Sequence, residues 1–388
     1  MNENTNTTTN AAAAEPFKVV VVGTGRQGTE HRIPSLRSVP GVAITGVVDV
    51  AVERAQAVVD SYNDAGKLDE LRAVGYDVRD GQEPPRAYAS LTEALRDERP
   101  DGVVVVVPHA FHKAATLEAL SGRVAPAAHV LVEKPMATSL ADAVEMEQAA
   151  ARTRRVLGVG YQNAHAVRWA AEQLRAGAIG ELRGLTLHWT RESGIPGAEH
   201  FWASREDGGV TPDLAGHLVA PLQVLLGADN RVVRLSAKGS GAAGRAQHGA
   251  GFVADDTVVA RLELANGATG KLVVSWATGM APDEQAGVTL FGSEGKLEVP
   301  FIPQKGIGYV PSSGDFLPVL RRWDSGTELG PDPLIYTELV VDQAFNWVAA
   351  AQGREELVLP GAAAVAVERV VDGIRRSADA GGISIDLA

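Results

Sequence analysis

KVVVVGTGRQG, Lys18 to Gly28, decides the fold. Its unbroken valine run is strand-length, and β-branched residues suit a pleated backbone buried on both faces. The run leads directly into Gly23, Gly25 and Gly28, a G-x-G-x-x-G spacing. There the first glycine permits the tight turn and the second lets backbone approach a pyrophosphate. The third lets the next helix pack on the strand, with its N-terminus facing the phosphates. In a chain with 42 glycines the spacing alone is weak. Its place between a strand and a helix opening near Gly25 to Gly28 makes it a dinucleotide signature. Arg26 and Gln27, inside the turn, are candidate cofactor contacts.

Working outward, VAITGVV (Val42 to Val48) reads as a second strand ending at Asp49. That places an acid about 20 residues past the last glycine, where it would accept from the ribose hydroxyls. Such a carboxylate repels a 2′-phosphate, and Arg54 is the first basic residue that could reverse the preference. NAD is therefore expected over NADP. GVVVVV (Gly102 to Val107), HVLVE (His129 to Glu133) and VLGVG (Val156 to Gly160) continue the pattern of apolar strands between helical stretches. This predicts a doubly wound parallel sheet over residues 17–160. Tyr62 to Pro85 interrupts the alternation and reads as a surface insertion before a short strand near Tyr88.

After Gly160 the rhythm changes to a helix (Ala166 to Ala176) and longer strand-like runs such as TVVARLELANGATGKLVVSWA. Asn266-Gly267 is a two-residue hairpin signal. Residues 161–388 are expected to form an α+β domain with a large open, mainly antiparallel sheet. A final helix (Ala362 to Ser377) should return toward the domain boundary. The first 16 residues, polar and then Ala-rich, read as a disordered tail without the features of a secretory signal.

The chain has 388 residues, enough for two cores, and a formal charge of -12, which argues against a nucleic-acid binder. No stretch has the ~18 apolar residues of a membrane span. With an N-terminus that lacks secretory-signal features, a cytoplasmic enzyme is expected. With no cysteine, thiolate nucleophiles, disulfides and cysteine-ligated zinc are excluded. No metal site is expected. Short-chain dehydrogenases are disfavoured because no Tyr is followed four positions later by Lys.

Three further segments matter: Val107-Pro108 followed by His112, HVLVEKPMATSLADA (His129 to Ala143), and GGVTPDLAGH (Gly208 to His217). Together with the glycine motif they resemble the Gfo/Idh/MocA oxidoreductases, named for glucose–fructose oxidoreductase and inositol dehydrogenase. The resemblance runs over nearly the whole chain from Phe17. It implies that nicotinamide and substrate meet in a cleft between a Rossmann domain and an open-sheet domain. It also implies that Lys134 sits by the oxygen of the reacting carbon, with Asp213 and His217 completing the catalytic set. Val107, Pro108, His112, Glu133 and Lys134 would border the cofactor.

The chemistry is consistent with those residue types. Oxidising a secondary alcohol requires removal of the hydroxyl proton as hydride leaves, hence a base and a steadying charge. His217 suits the first role and Lys134 the second. Asp213, four residues before His217, would share its helix face and orient the imidazole or touch substrate. An N-cap role after Pro212 is the bland alternative for Asp213. Many relatives carry Thr where this chain has Val107, and an Arg-Phe pair where it reads Tyr161-Gln162-Asn163-Ala164-His165. Tyr161, Gln162, Asn163 and His165 are thus candidate substrate contacts, with Trp189, Arg191, His200 and Trp202 as weaker ones.

The resulting expectation is an NAD-dependent dehydrogenase acting on CH–OH groups of a cyclitol, sugar or nucleotide sugar. An NAD-retaining glycosidase and a non-catalytic NAD-binding regulator are the alternatives. An uncovered sheet face further implies a homodimer or homotetramer.

Overall fold

The computed structural model describes residues 15–387, apart from 198, 206–207, 279–284, 304–313, 317, 324–327 and 332–333. The expected N-terminal tail therefore lies, through residue 14, outside the described residues.

The first sheet forms from β1 (Phe17–Val22), β2 (Val42–Val48), β3 (Arg86–Tyr88), β4 (Gly102–Val105), β5 (His129–Val132) and β6 (Leu157–Val159). All five pairings are parallel, in the order β3-β2-β1-β4-β5-β6. This is the doubly wound Rossmann arrangement, whose order reverses between β1 and β4 and opens a crevice there. Val19, Val20 and Val21 are fully buried, as are Val103, Val104 and Val105, because helices cover both faces. Those helices are α1 (Ile33–Arg37), α2 (Val52–Asp60), α3 (Ala65–Ala73), α4 (Leu91–Glu98), α5 (His112–Leu120) and α6 (Leu140–Thr153). Ser90 and Ser139 start α4 and α6 by accepting from the amides of Glu93 and Asp142.

The insertion is not simply surface loop. It contains α3, capped by Asp64, and buries Leu68, Tyr76 and Val78. The expected helix over Ala166 to Ala176 begins as a 3₁₀ segment, Gln162–Val167, before α7 (Arg168–Arg175).

The second sheet contains β7 (Leu182–Thr190), β8 (Val232–Ser240), β9 (Thr257–Leu264), β10 (Thr269–Ser275), β11 (Gln285–Gly292) and β12 (Gly295–Pro303). Shorter strands follow: β13 (Gly314–Phe316), β14 (Val319–Arg322), β15 (Glu328–Leu329), β16 (Leu334–Ile335) and β17 (Ile385–Asp386). The main path runs β15-β14-β12-β11-β7-β10-β9-β8-β17, and β13 joins β12 to β16. Among the described residues every pairing but β7 with β10 is antiparallel.

In β9, Val258, Ala260, Leu262 and Leu264 are buried while Val259 and Arg261 are exposed, so one face packs and the other stays open. The packed face lies on α8 (Gly216–Leu226) and α11 (Gly361–Asp379). A short α9 (Ala242–His248) follows β8.

The hairpin between β9 and β10 is wider than a two-residue turn. The Leu264 amide donates to Ala268 O, leaving three residues between them, and only Gly267 has positive φ (+85°). A two-residue type I′ turn needs positive φ at both central residues; here Asn266 instead uses its side chain to accept from the Ala268 amide.

The late helix α10 (Tyr336–Ala351) crosses back to the first sheet. Its Trp347 is fully buried, donates Nε1 to Val130 O and stands edge-on to Phe17. Gly102 and Gly158 face this indole, where a Cβ would come within 2.5 and 3.3 Å of it. Residues late in the chain therefore complete the core of the first half.

Candidate active site

The glycine turn carries three different constraints. Gly23 has φ +103°, and a Cβ there would lie 2.1 Å from Val106 O. At Gly28 a Cβ would lie 2.3 Å from Gly23 O, so the helix could not close onto the turn. At Gly25 a Cβ would meet nothing within 4 Å. Its missing side chain leaves room on the outer side of the turn, where a pyrophosphate would approach. The helix after the motif passes through one π-turn, Gly28–Arg32, before α1. Both His31 and Arg32 are buried there, and π-turns are frequent at functional sites.

Asp49 stands at the end of β2 with its carboxylate already oriented. Thr24 donates to Oδ2 from its amide (3.1 Å) and hydroxyl (2.7 Å), and the Ala51 amide donates to Oδ1 (3.0 Å). Burial opposes its ionisation, but these hydrogen bonds outweigh it and hold the pKa below the usual carboxylate range. Lone pairs remain for ribose hydroxyls. The glycine turn and Asp49 thus fit an NAD molecule. Arg26 extends outward to Glu30 (2.8 Å), and Gln27 hydrogen-bonds Tyr336 at the start of α10.

The Glu133-Lys134-Pro135-Met136 turn after β5 is held by a separate partner at each residue. Glu133 is buried in an ion pair with Arg32, and Arg32 also donates to Gln343 of α10 (2.7 Å). Burial pushes the Glu133 pKa up, yet Arg32 and the Lys134 amide more than reverse this. The Lys134–Pro135 peptide is cis. Pro135 O faces Nδ1 of the fully buried His112 at 2.8 Å, while Val107 O faces Nε2 at 2.9 Å. His112 therefore braces the β4 and β5 turns against each other. A neutral ring can donate to only one of these carbonyls. Burial lowers its pKa, against the pull of both acceptors. Met136 N donates to Glu368 of α11 (2.8 Å).

Lys134 and Asp213, far apart in sequence, meet at 3.2 Å between Nζ and Oδ1, and Nζ also reaches Asp213 O (3.3 Å). The other Asp213 oxygen accepts from Trp276 Nε1 at 3.0 Å. Burial raises the Asp213 pKa, but the charges of Lys134 and Arg191 with the indole hydrogen bond bring it below normal. Of the two roles expected for Asp213, orienting the imidazole or touching substrate, its hydrogen bonds serve neither directly: they join it to Lys134 and Trp276, with none to His217 among the described residues. The chain from Thr211 to Ala215 is a π-turn rather than regular helix, so the one-face argument for a four-residue spacing does not apply.

His217 packs between Tyr161 and Trp189, with ring centroids 6.1 and 5.5 Å away, and its Nδ1 has no hydrogen-bond partner among the described residues. Burial, reinforced by the positive charges of Lys134 and Arg191, lowers its pKa to about 3. Its surroundings therefore favour the neutral imidazole near pH 7.

Among the other expected contacts, Tyr161 gives its hydroxyl to Glu368 (2.7 Å). Gln162 and Asn163 are buried. His165 is committed to Asp342 of α10 at 2.7 Å. Trp189, near the end of β7, packs against His217, and Arg191 follows just past the strand with its charge acting on the same ring. Trp202 instead stacks on His248 and Phe252, away from the Lys134 cluster in its contacts. The side chain of His200 lies outside the described residues. Trp276 and Glu368 were not singled out from sequence. Nothing local marks Glu368, and Trp276 reads as one more apolar residue at a strand end.

A Rossmann crevice with an acid at the end of its second strand, joined to a lysine–carboxylate pair and a histidine beside an open sheet, is the arrangement the family comparison can be set against. Residues 17–161 match the model of the oxidoreductase family with an NAD-binding Rossmann fold, and residues 167–298 match the GFO/IDH/MocA C-terminal domain. The chain belongs to the Gfo/Idh/MocA family. It is 26% identical over 220 residues to a D-glucoside 3-dehydrogenase of Escherichia coli (strain K12), covering 56% of each chain. It is also 30% identical over 175 residues to an inositol 2-dehydrogenase of Renibacterium salmoninarum, covering 44% of this chain and 45% of that one. The matches thus span about half the length of these curated relatives. An inositol dehydrogenase homolog from Azotobacter vinelandii, solved with NADH and myo-inositol, has the same fold. Its TM-score is 0.68 at 20% identity, covering 96% of this chain and 98% of that one. No helix among the described residues is long and apolar enough to cross a membrane.

Proposed function

We propose that this chain is an NAD-dependent dehydrogenase moving hydride between nicotinamide and a secondary alcohol or ketone of a cyclitol, sugar or nucleotide sugar. The observation that carries the reading is the Lys134–Asp213 pair beside the neutral His217, at the junction of the NAD-binding and open-sheet halves. Gly23, Gly25, Gly28 and Asp49 would hold the dinucleotide, and NAD supplies the hydride acceptor. The Lys134 ammonium, kept in place by Asp213, donates to the substrate oxygen and steadies negative charge as its proton leaves. His217 accepts that proton. Its low basicity arises from burial and two nearby cations, so negative charge developing on the oxygen between them raises it as the reaction proceeds. Trp276 keeps Asp213 turned toward Lys134.

The relatives named for glucosides and inositol support testing polyols first. Purified protein with NAD and a panel of cyclitols, free sugars and nucleotide sugars should form NADH with at least one group. Glycoside cleavage without net NADH would favour the NAD-retaining glycosidase, and binding without turnover would favour the regulator. Either result would sink the dehydrogenase reading.

Cofactor choice is a separate expectation. With Asp49 fixed at the ribose edge, kcat/KM should be about tenfold or more higher with NAD than with NADP, since a 2′-phosphate would meet a carboxylate. Asp49→Ser should shrink that ratio. A wild-type preference for NADP would refute the role given to Asp49.

A further inference from the structure

We infer that Glu368, on the last long helix, is a positioning residue that sets the Lys134 turn and the wall of His217 through a single carboxylate oxygen. The inference rests on the hydride-transfer reading above. Oε1 of Glu368 accepts from the Met136 amide at 2.8 Å and from the Tyr161 hydroxyl at 2.7 Å. Met136 is two residues beyond Lys134, and the Tyr161 ring stands perpendicular to His217. One acceptor therefore registers a backbone from the NAD-binding half and an aromatic ring against the histidine of the open-sheet half. The acceptor itself comes from an element 232 residues after Met136.

The group is built into its place. Glu368 is only 6% exposed, and α11 packs on both α6 and α8, so its side chain bridges the two halves. Gly216 leaves space for the Tyr161 phenol, where a Cβ would come within 2.8 Å of the hydroxyl oxygen. Burial lifts the Glu368 pKa to about 7, opposed by the Met136 and Tyr161 hydrogen bonds and by the Lys134 charge. A buried carboxylate is costly to retain unless its hydrogen bonds are needed. Removing it would leave two buried donors without their acceptor, loosening the turn that carries Nζ of Lys134.

The test compares Glu368→Ala, which removes the acceptor, with Glu368→Gln, which keeps an oxygen in the same place. Glu368→Ala should lower kcat by about tenfold or more with KM and NAD affinity within about threefold, because misplacing a catalytic group costs the transition state more than binding. Glu368→Gln should recover kcat to within about threefold of wild type, and Tyr161→Phe, losing one of two donors, should fall between. Amide hydrogen exchange across residues 133–137 supplies a reading that needs no substrate. It should quicken about tenfold in Glu368→Ala and stay near wild type in Glu368→Gln.

Wild-type kcat in Glu368→Ala, a Gln variant no better than the Ala variant, or unchanged exchange in Glu368→Ala would overturn the inference. If no polyol gives NADH with wild-type protein, the functional reading fails, and the exchange result still decides the role of Glu368.

Discussion

Replacing Lys134 with alanine should cut kcat about a hundredfold or more while NAD affinity stays within about threefold. The asymmetry follows from where the two ends of the site lie. NAD is expected to rest on the Gly23–Gly28 turn and Asp49, none of which touches the Lys134 ammonium. Nζ of Lys134 instead points across the halves to Asp213, at 3.2 Å from Oδ1 and 3.3 Å from its carbonyl oxygen. Its loss removes the donor that steadies the reacting oxygen. It also leaves the Asp213 carboxylate uncompensated beside that oxygen, so negative charge develops against a fixed negative charge. Lys134→Arg keeps the charge but replaces a compact ammonium with a planar fork, and should recover only part of the loss. Steady-state kinetics with fluorescence titration of NADH separates the two effects. Full activity in Lys134→Ala would end the proposed mechanism. A parallel collapse of NAD binding would mean that Lys134 serves the cofactor.

How much of this was legible beforehand depends on distance along the chain. The parallel sheet and glycine turn could be read because their information is local: valine runs give burial, and glycine spacing gives the turn. Asp49 followed from its distance to Gly28. The lysine could be singled out because Pro135 and a preceding strand fix its place at a sheet edge, where sites of this fold form. That Lys134 and Asp213 belong to one set was implied by the family resemblance, but their direct contact and the hydrogen bonding around Asp213 were not. A four-residue spacing suggested an Asp213–His217 pair only if the segment were regular helix. The π-turn at Thr211–Ala215 accompanies a different arrangement, with Asp213 toward Lys134 and Trp276 and His217 toward Tyr161 and Trp189.

The supports that sequence missed share one property: each joins residues hundreds or scores of positions apart. Arg32 meets Glu133 and Gln343, and Glu368 meets Met136 and Tyr161. No periodicity encodes such pairs. An arginine or a glutamate on a helix looks like a solvated charge until the fold is known. His165 shows the same dependence on distant residues. It follows the strand that leads into the site, and its Nδ1 meets Asp342, 177 positions further along the chain.

The second large effect concerns acid. Stability should fall by roughly 2–3 kcal/mol or more per pH unit between about pH 6 and 5, where ordinary carboxylates are still mostly ionised. Three histidines shifted furthest lead the effect, and burial lowers His112 and His188 in the same direction. Burial is the largest cause for each, and it lowers the pKa of His31 and His129 to about 4 and of His217 to about 3. Their geometry agrees with this direction. The Val156 amide donates to Nδ1 of His129, so a proton there must break a hydrogen bond. Nδ1 of His217 has no acceptor waiting among the described residues.

With folded pKa values depressed, the unfolded chain binds more protons in this window, and stability drains away as pH falls below about 6.5. Glu368 works in the opposite sense. Its folded pKa of about 7 lies above the usual carboxylate value, so the native state takes up its proton first and gains stability on acidification. The three most shifted histidines against one glutamate leave a difference of at least about two protons, to which His112 and His188 add, at about 1.4 kcal/mol per proton and pH unit. Urea unfolding at pH 6.5 and 5.0 measures this slope. His129→Asn, which keeps an acceptor for Val156 but cannot titrate, should flatten it by about one proton. Glu368→Gln should steepen it by the same amount, for it removes the one titration that opposes the histidines. A flat profile between those pH values, or a slope unmoved by both variants, would show that these buried groups do not titrate as their surroundings dictate.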